Sequence, residues 1–140
     1  MDSLLFFMNV LYNEIQQIKK EIVIYGGMDM VGKYKVVTLC GSTRFKEQFM
    51  NAQKDLTLKG YIVISVGLFG HSGDSEVWEN MDEGTLTKTK EMLDDMHKRK
   101  IDMADEIFVI NVNGYIGEST KSEIEYAKRT GKNVNYLENT

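Results

Sequence analysis

Two stretches of this chain carry residue types that suit anion recognition. In Cys40-Gly41-Ser42-Thr43-Arg44, Gly41 permits close backbone approach, Ser42 and Thr43 supply hydroxyl donors, and Arg44 supplies a planar fork matched to phosphate or carboxylate. The second stretch, Gly114-Tyr115-Ile116-Gly117-Glu118-Ser119-Thr120-Lys121-Ser122-Glu123, repeats the theme. Gly117, Ser119, Thr120 and Ser122 are its candidate phosphate contacts. Each stretch follows an apolar run and precedes a helical pattern, where free backbone N–H groups and the helix dipole favour negative charge. The residues also admit a plainer role, in which Ser42 or Thr43 caps the following helix and Arg44 lies in solvent.

Glu123 is the candidate reactive carboxylate. Near a helix start at the mouth of a crevice, a carboxylate can attack or stabilise an electron-poor anomeric carbon. Thr120-Lys121-Ser122-Glu123 also has the form of a capping box, as does Ser122 with Glu125, and on the residues alone the cap is the stronger reading. Asn111, Asn113, Tyr115, His71 and Trp78 are candidate sugar or base contacts. His97, between Met96 and Lys98 on a helical stretch, reads as a surface residue. With only two histidines and no ligand spacing, neither a metal nor a cofactor is expected. Lys98-Arg99-Lys100 reads as a solvated, dipole-complementing helix end.

The elements that position these groups follow from periodicity. Lys35 to Cys40 is a short apolar run of the kind buried in a parallel strand, and Phe45, Phe49, Ala52 and Leu56 then mark a helix face closed by Gly60. Tyr61 to Val66 predicts a second strand. Gly67 to Gly84 shows no sustained period and reads as a long functional loop. Leu86 to Met103 predicts a helix with Met92, Leu93 and Met96 inward. Glu106 to Val112 predicts a third strand, Ser119 to Thr130 a helix ended by Gly131, and Asn133 to Leu137 a last strand. This alternation predicts a doubly wound parallel α/β sheet of the flavodoxin or Rossmann type, with ligands bound beyond the carboxyl ends of the strands.

Before this domain, taken as residues 31–140, lies a helical appendage over residues 1–30. Leu4, Met8, Leu11, Ile15, Ile18 and Ile22 recur at steps of four and three, so they share one helical stripe. The stripe suits either packing on its own domain or pairing with a second copy, and a homo-oligomer is expected. Gly26 and Gly27 end the segment, and Met28 and Met30 stand just before the first strand. The acidic N-terminal Asp2 and the lack of a small-residue cleavage site argue against a signal peptide, and no apolar run is long enough for a membrane span.

With 140 residues, 42% of them apolar, one core is expected, and a net charge of -4 argues against a broad nucleic-acid-binding field. A small-molecule partner fits better. The single cysteine, Cys40, rules out an intrachain disulfide and fits a reducing, cytoplasmic setting.

The order strand, Cys40-Gly41-Ser42-Thr43-Arg44, helix, then Ala104-Asp105 opening a strand, then a Gly/Ser/Thr loop leading to Glu123-Ile124-Glu125-Tyr126-Ala127, resembles the nucleoside 2-deoxyribosyltransferase superfamily. Its first turn is most similar to that of the 2'-deoxynucleoside 5'-phosphate N-hydrolases, and the Gly-Tyr-Ile-Gly-Glu-Ser-Thr segment to a group of bacterial and phage proteins. The resemblance implies cleavage of an N-glycosidic bond in a nucleoside or its monophosphate, with Glu123 as nucleophile. Ser42 and Arg44 would lie at the 5'-phosphate. The chain departs from the family at Thr38, where a tyrosine is common, at Asn111 and Asn113, where an acidic residue is common, and at Glu125, where a small residue is common. The family's aspartate upstream of Ala104 falls on His97, unless Asp94 or Asp95 replaces it. These departures keep a non-catalytic nucleotide sensor in view. The loop followed by Thr-x-x-Glu also resembles the phosphoribohydrolases of the lysine-decarboxylase-like group, which would imply ribonucleotide substrates.

Overall fold

The computed structural model describes residues 2–26 and 31–139, the backbone alone over 20–26. Gly27, Met28 and Met30, and the side chain of Ile22, lie outside the described residues.

Helix α1 (Asp2–Gly26) precedes strand β1 (Val36–Gly41), helix α2 (Lys46–Leu58) and strand β2 (Ile62–Ile64). A one-turn helix α3 (Glu76–Glu79) and the long helix α4 (Glu83–Asp102) lead to strand β3 (Glu106–Ile110), helix α5 (Glu118–Arg129) and strand β4 (Asn133–Tyr136). The strands form one all-parallel sheet in the order β2-β1-β3-β4. Strand order reverses between β1 and β3, so the topological switch point, where doubly wound sheets of this kind bind ligands, lies beyond Gly41 and Ile110.

Alternation along β1 divides its residues between two layers. Val37 and Leu39 join Phe49, Ala52 and Leu56 of α2 on one face. Cys40 joins Ile101 of α4 and Ile124 and Ala127 of α5 on the other. That division is the doubly wound, flavodoxin-like arrangement the periodicity predicts.

Three local expectations are corrected. The second strand is shorter than Tyr61 to Val66, and the stretch from Gly67 to Gly84 is not all loop: it contains α3 and the start of α4, capped by Asp82, whose carboxylate accepts from Thr85 N. On α4, Met92 and Met96 are exposed, whereas His97 and Ile101 are buried. The inward stripe is therefore Leu93-His97-Ile101, one residue round the helix from the predicted one. It packs over Cys40, with His97 Nε2 in contact with Cys40 Sγ and Ile101 in the buried cluster that Cys40 joins.

Over its described side chains, helix α1 keeps the predicted stripe as far as Ile18 but buries none of it. Leu4, Met8, Leu11, Ile15 and Ile18 are all exposed within the described chain.

Candidate functional site

The loop after β1 is shaped by Gly41. Its φ of +155° and its position against β3 leave no room for a side chain, since a Cβ would sit 2.9 Å from both the Cβ and the carbonyl oxygen of Ile110. Neither Ser42 nor Thr43 caps α2, because the helix starts after Phe45 and no side chain caps it. Ser42 Oγ instead accepts from Arg44 Nε at 3.0 Å and Arg44 N at 3.4 Å.

Arg44 is exposed to solvent, as one reading of the sequence expected, but its side chain is engaged. Its guanidinium stacks 4.6 Å from the centroid of Tyr115, whose ring also meets Phe45 edge-on at 6.0 Å. This contact brings the two Gly/Ser/Thr loops together at the switch point. The loop after β2 joins them, as Thr43 Oγ1 meets His71 Nδ1 at 2.7 Å and Ser72 Oγ donates to the Arg44 carbonyl at 2.8 Å. Trp78 acts inside that loop, with Nε1 so close to Gly70 that a Cβ there would stand 2.4 Å away. Hydroxyl, imidazole and guanidinium groups thus converge beyond β1, β2 and β3.

The second loop distributes its residues less uniformly than its sequence suggests. Helix α5 takes Gly117 as its N-cap, so Ser119 stands exposed in the first turn, Thr120 is buried, and Ser122 is exposed. At 100° per residue, Ser122 faces away from the stripe of Thr120, Ile124 and Ala127 that packs on the sheet. Asn111 is fully committed elsewhere: its amide donates to the Glu138 carbonyl at 3.0 Å and accepts from Glu138 N at 2.8 Å, pinning the C-terminal tail. Asn113 supplies a left-handed residue, φ 54°, in the exposed turn before Gly114.

The capping reading of Glu123 fails. With Gly117 as N-cap, Thr120 lies inside the helix and Glu123 in its second turn, beyond reach of a capping box. Its carboxyl instead turns down between α4 and α5, where Oε2 lies 3.9 Å from His97 Nε2. His97 Nε2 is in turn 3.4 Å from Cys40 Sγ. His97 is no surface residue.

These three groups are neutral or poised near neutrality. Burial, helped by the nearby charge of Asp94 and opposed by the Cys40 thiol and Lys98, lifts Glu123 from 4.5 to about 7. Burial and the positive field of Lys100, opposed by a Leu39 backbone hydrogen bond, lower His97 from 6.5 to about 4. The Cys40 thiol is pushed well up by burial and by Glu123. The close approach of His97 and Glu123 is therefore not an ion pair at neutral pH. The Cys40 thiol interacts with the Glu123 carboxyl, yet Glu123 Oε2 is buried with no hydrogen bond of acceptable geometry. Asp94 acts on Glu123 only through its charge, and Asp95 pairs with Arg99 on the outside of α4.

No protein family, curated protein or solved structure matches this chain. The site is read from its own chemistry. Because Cys40 and Gly41 are consecutive, the buried carboxyl cluster lies directly behind the loop that follows β1. A shallow groove of about 300 Å³ on the α2 side of the sheet, lined by Gln48, Asp55, Lys59, Phe108 and Leu137, holds none of these groups.

His97 and Cys40 are the participants that the sequence did not reveal. The one hint was positional: His97 stands where the superfamily that the sequence resembles carries an aspartate.

Proposed function

We propose that the protein cleaves the N-glycosidic bond of a nucleoside monophosphate, with Glu123 as the attacking carboxylate. The observation that carries this reading is the release of Glu123 from helix capping into a buried position, where its carboxyl titrates at about 7 directly behind the β1 loop. A buried carboxylate is less solvated and so a better nucleophile once ionised. Attack on C1' forms a glycosyl ester while the C1'–N bond breaks, and the departing base takes a proton from solvent. Water then opens the ester and restores the carboxylate, or a second base does so in a transferase. Arg44, Ser42, Thr43 and Ser119 are assigned to the phosphate, and His71 and Tyr115 to the sugar or base. Such a reaction suits the cytoplasm, where Cys40 stays a thiol.

The deciding experiment follows base release from deoxyribo- and ribonucleoside monophosphates by chromatography. Release by the wild type and its loss in Glu123→Gln support the reading; no release from any nucleotide, or undiminished release by the variant, overturns it. A ribo preference would favour the phosphoribohydrolase alternative. The sealed Oε2 and the prior engagement of Arg44 with Ser42 and Tyr115 favour a second reading, a nucleotide sensor. Calorimetric binding without base release would identify it.

We further infer that α1 pairs with α1 of a second copy. Leu4, Met8, Leu11, Ile15 and Ile18, all exposed, have the four-and-three spacing of a two-stranded coiled coil.

A further inference from the structure

We propose that Cys40, His97 and Glu123 together form a binding site for a borderline-soft divalent metal ion of the zinc type. The three come from β1, α4 and α5, and each directs one ligand-capable atom inward: Sγ, an imidazole nitrogen and a carboxylate oxygen, all within 4.8 Å of one another. Thiolate, imidazole and carboxylate are together the donor set of Zn²⁺, and the thiolate disfavours Mg²⁺ and Ca²⁺.

The spacing agrees with a tetrahedral metal. Bond lengths of roughly 2.3 Å to sulfur and 2.0–2.1 Å to nitrogen and oxygen put neighbouring ligand atoms about 3.3–3.6 Å apart. Sγ and Nε2 stand at 3.4 Å, and Nε2 and Oε2 at 3.9 Å. With the third pair, Sγ and Oε2, within 4.8 Å, seating an ion draws the carboxylate toward the other two ligands by about half to one ångström. Three protein donors leave a fourth position for water or an exogenous ligand.

A second observation points the same way. Among the described residues Glu123 Oε2 is shielded from water and, beyond the carboxyl's interaction with the Cys40 thiol, makes no hydrogen bond of acceptable geometry, although it faces the other two ligand atoms. A buried oxygen without a good hydrogen bond is destabilising, and a cation between it and the sulfur would remove that cost. Sequence spacing could not show the site, since the ligands stand at positions 40, 97 and 123.

This inference does not rest on the glycosidase reading, but it bears on it. A carboxylate that shares its charge with a metal is a weaker nucleophile at C1', so zinc would lower base release, and a chelator would restore it.

The test uses the full chain, stripped with chelator and titrated with Co²⁺ and then Zn²⁺. The expected result is one Co²⁺ per chain, with intense tetrahedral d–d bands and a thiolate-to-cobalt charge-transfer band that Zn²⁺ abolishes. Cys40 is the sole cysteine, so that band can arise from no other residue. Cys40→Ser should remove the band, and Glu123→Gln should weaken Co²⁺ binding about tenfold or more. Should Cys40→Ser fail to fold, X-ray absorption on the zinc-loaded wild type decides, with one sulfur neighbour expected per metal. Less than stoichiometric uptake, a cobalt spectrum without the thiolate band, a sulfur-free coordination shell, or wild-type affinity in Glu123→Gln would each overturn the proposal.

Discussion

His97 Nε2 lies 3.9 Å from Glu123 Oε2, and burial drives the two groups in opposite directions on the pH scale, the imidazole down to about 4 and the carboxyl up to about 7. Between those values each prefers its neutral form. The pair therefore holds a carboxyl that ionises near physiological pH rather than one neutralised by a permanent partner.

If ionised Glu123 is the nucleophile, base release by metal-free protein should rise about tenfold per pH unit below 7 and level off above it. A kcat/KM profile measured with chelator present checks this. A profile flat from pH 5 to 8 would contradict Glu123 as the attacking group.

Stability should show the same titration with the opposite consequence. A carboxyl whose pKa is raised on folding stabilises the fold below its unfolded value, near 4.5, and that stability is lost as pH rises through about 7. Glu123→Gln keeps the neutral shape, so its advantage over wild type should grow from near zero at pH 4.5 to at most about 3 kcal/mol at pH 8. Urea unfolding of chelated protein at both pH values measures it, and a pH-independent difference would be the contrary result.

Arg44 should select for phosphate. Arg44→Ala removes a charge-assisted contact worth about 1.5–3 kcal/mol, so KM for a nucleoside monophosphate should rise roughly 10- to 100-fold. Turnover of the matching nucleoside, which has no phosphate, should be unchanged. Equal losses on both substrates would assign Arg44 to loop structure, through its stacking on Tyr115.

Gly41→Ala should destabilise the whole domain. The added methyl would meet the Ile110 backbone at 2.9 Å, at a φ that L residues rarely adopt, and strain of this kind costs about 1–3 kcal/mol. A drop of several degrees in Tm is expected. An unchanged Tm would mean that β1 and β3 separate at little cost.

The exposed stripe of α1 predicts assembly. Leu11→Asp with Ile15→Asp should convert a dimer to a monomer in light scattering, with the far-UV signature of the α/β domain intact. A wild-type chain that is monomeric at high micromolar concentration would sink the coiled-coil reading.

What the sequence determined by itself was the order of elements and the places where chemistry could sit. Val36 to Cys40 and Ile107 to Ile110 are apolar except for Thr38 because both faces of a parallel sheet are covered, and Gly41 and Gly117 mark the turns where helices follow strands. Those are local facts, written in runs of five to ten residues. The tertiary structure decided which of several locally equivalent arrangements holds. Thr120-x-x-Glu123 is as good a capping box as any in the chain, but α5 starts at Glu118, and a helix that begins three residues earlier turns Glu123 into the interior. Stripes through Met92-Met96 and Leu93-His97-Ile101 are equally helical, and only packing over Cys40 turns the second inward. The meeting of Cys40, His97 and Glu123 is the sum of these choices: burial and proximity across β1, α4 and α5 depend on contacts that no local spacing encodes.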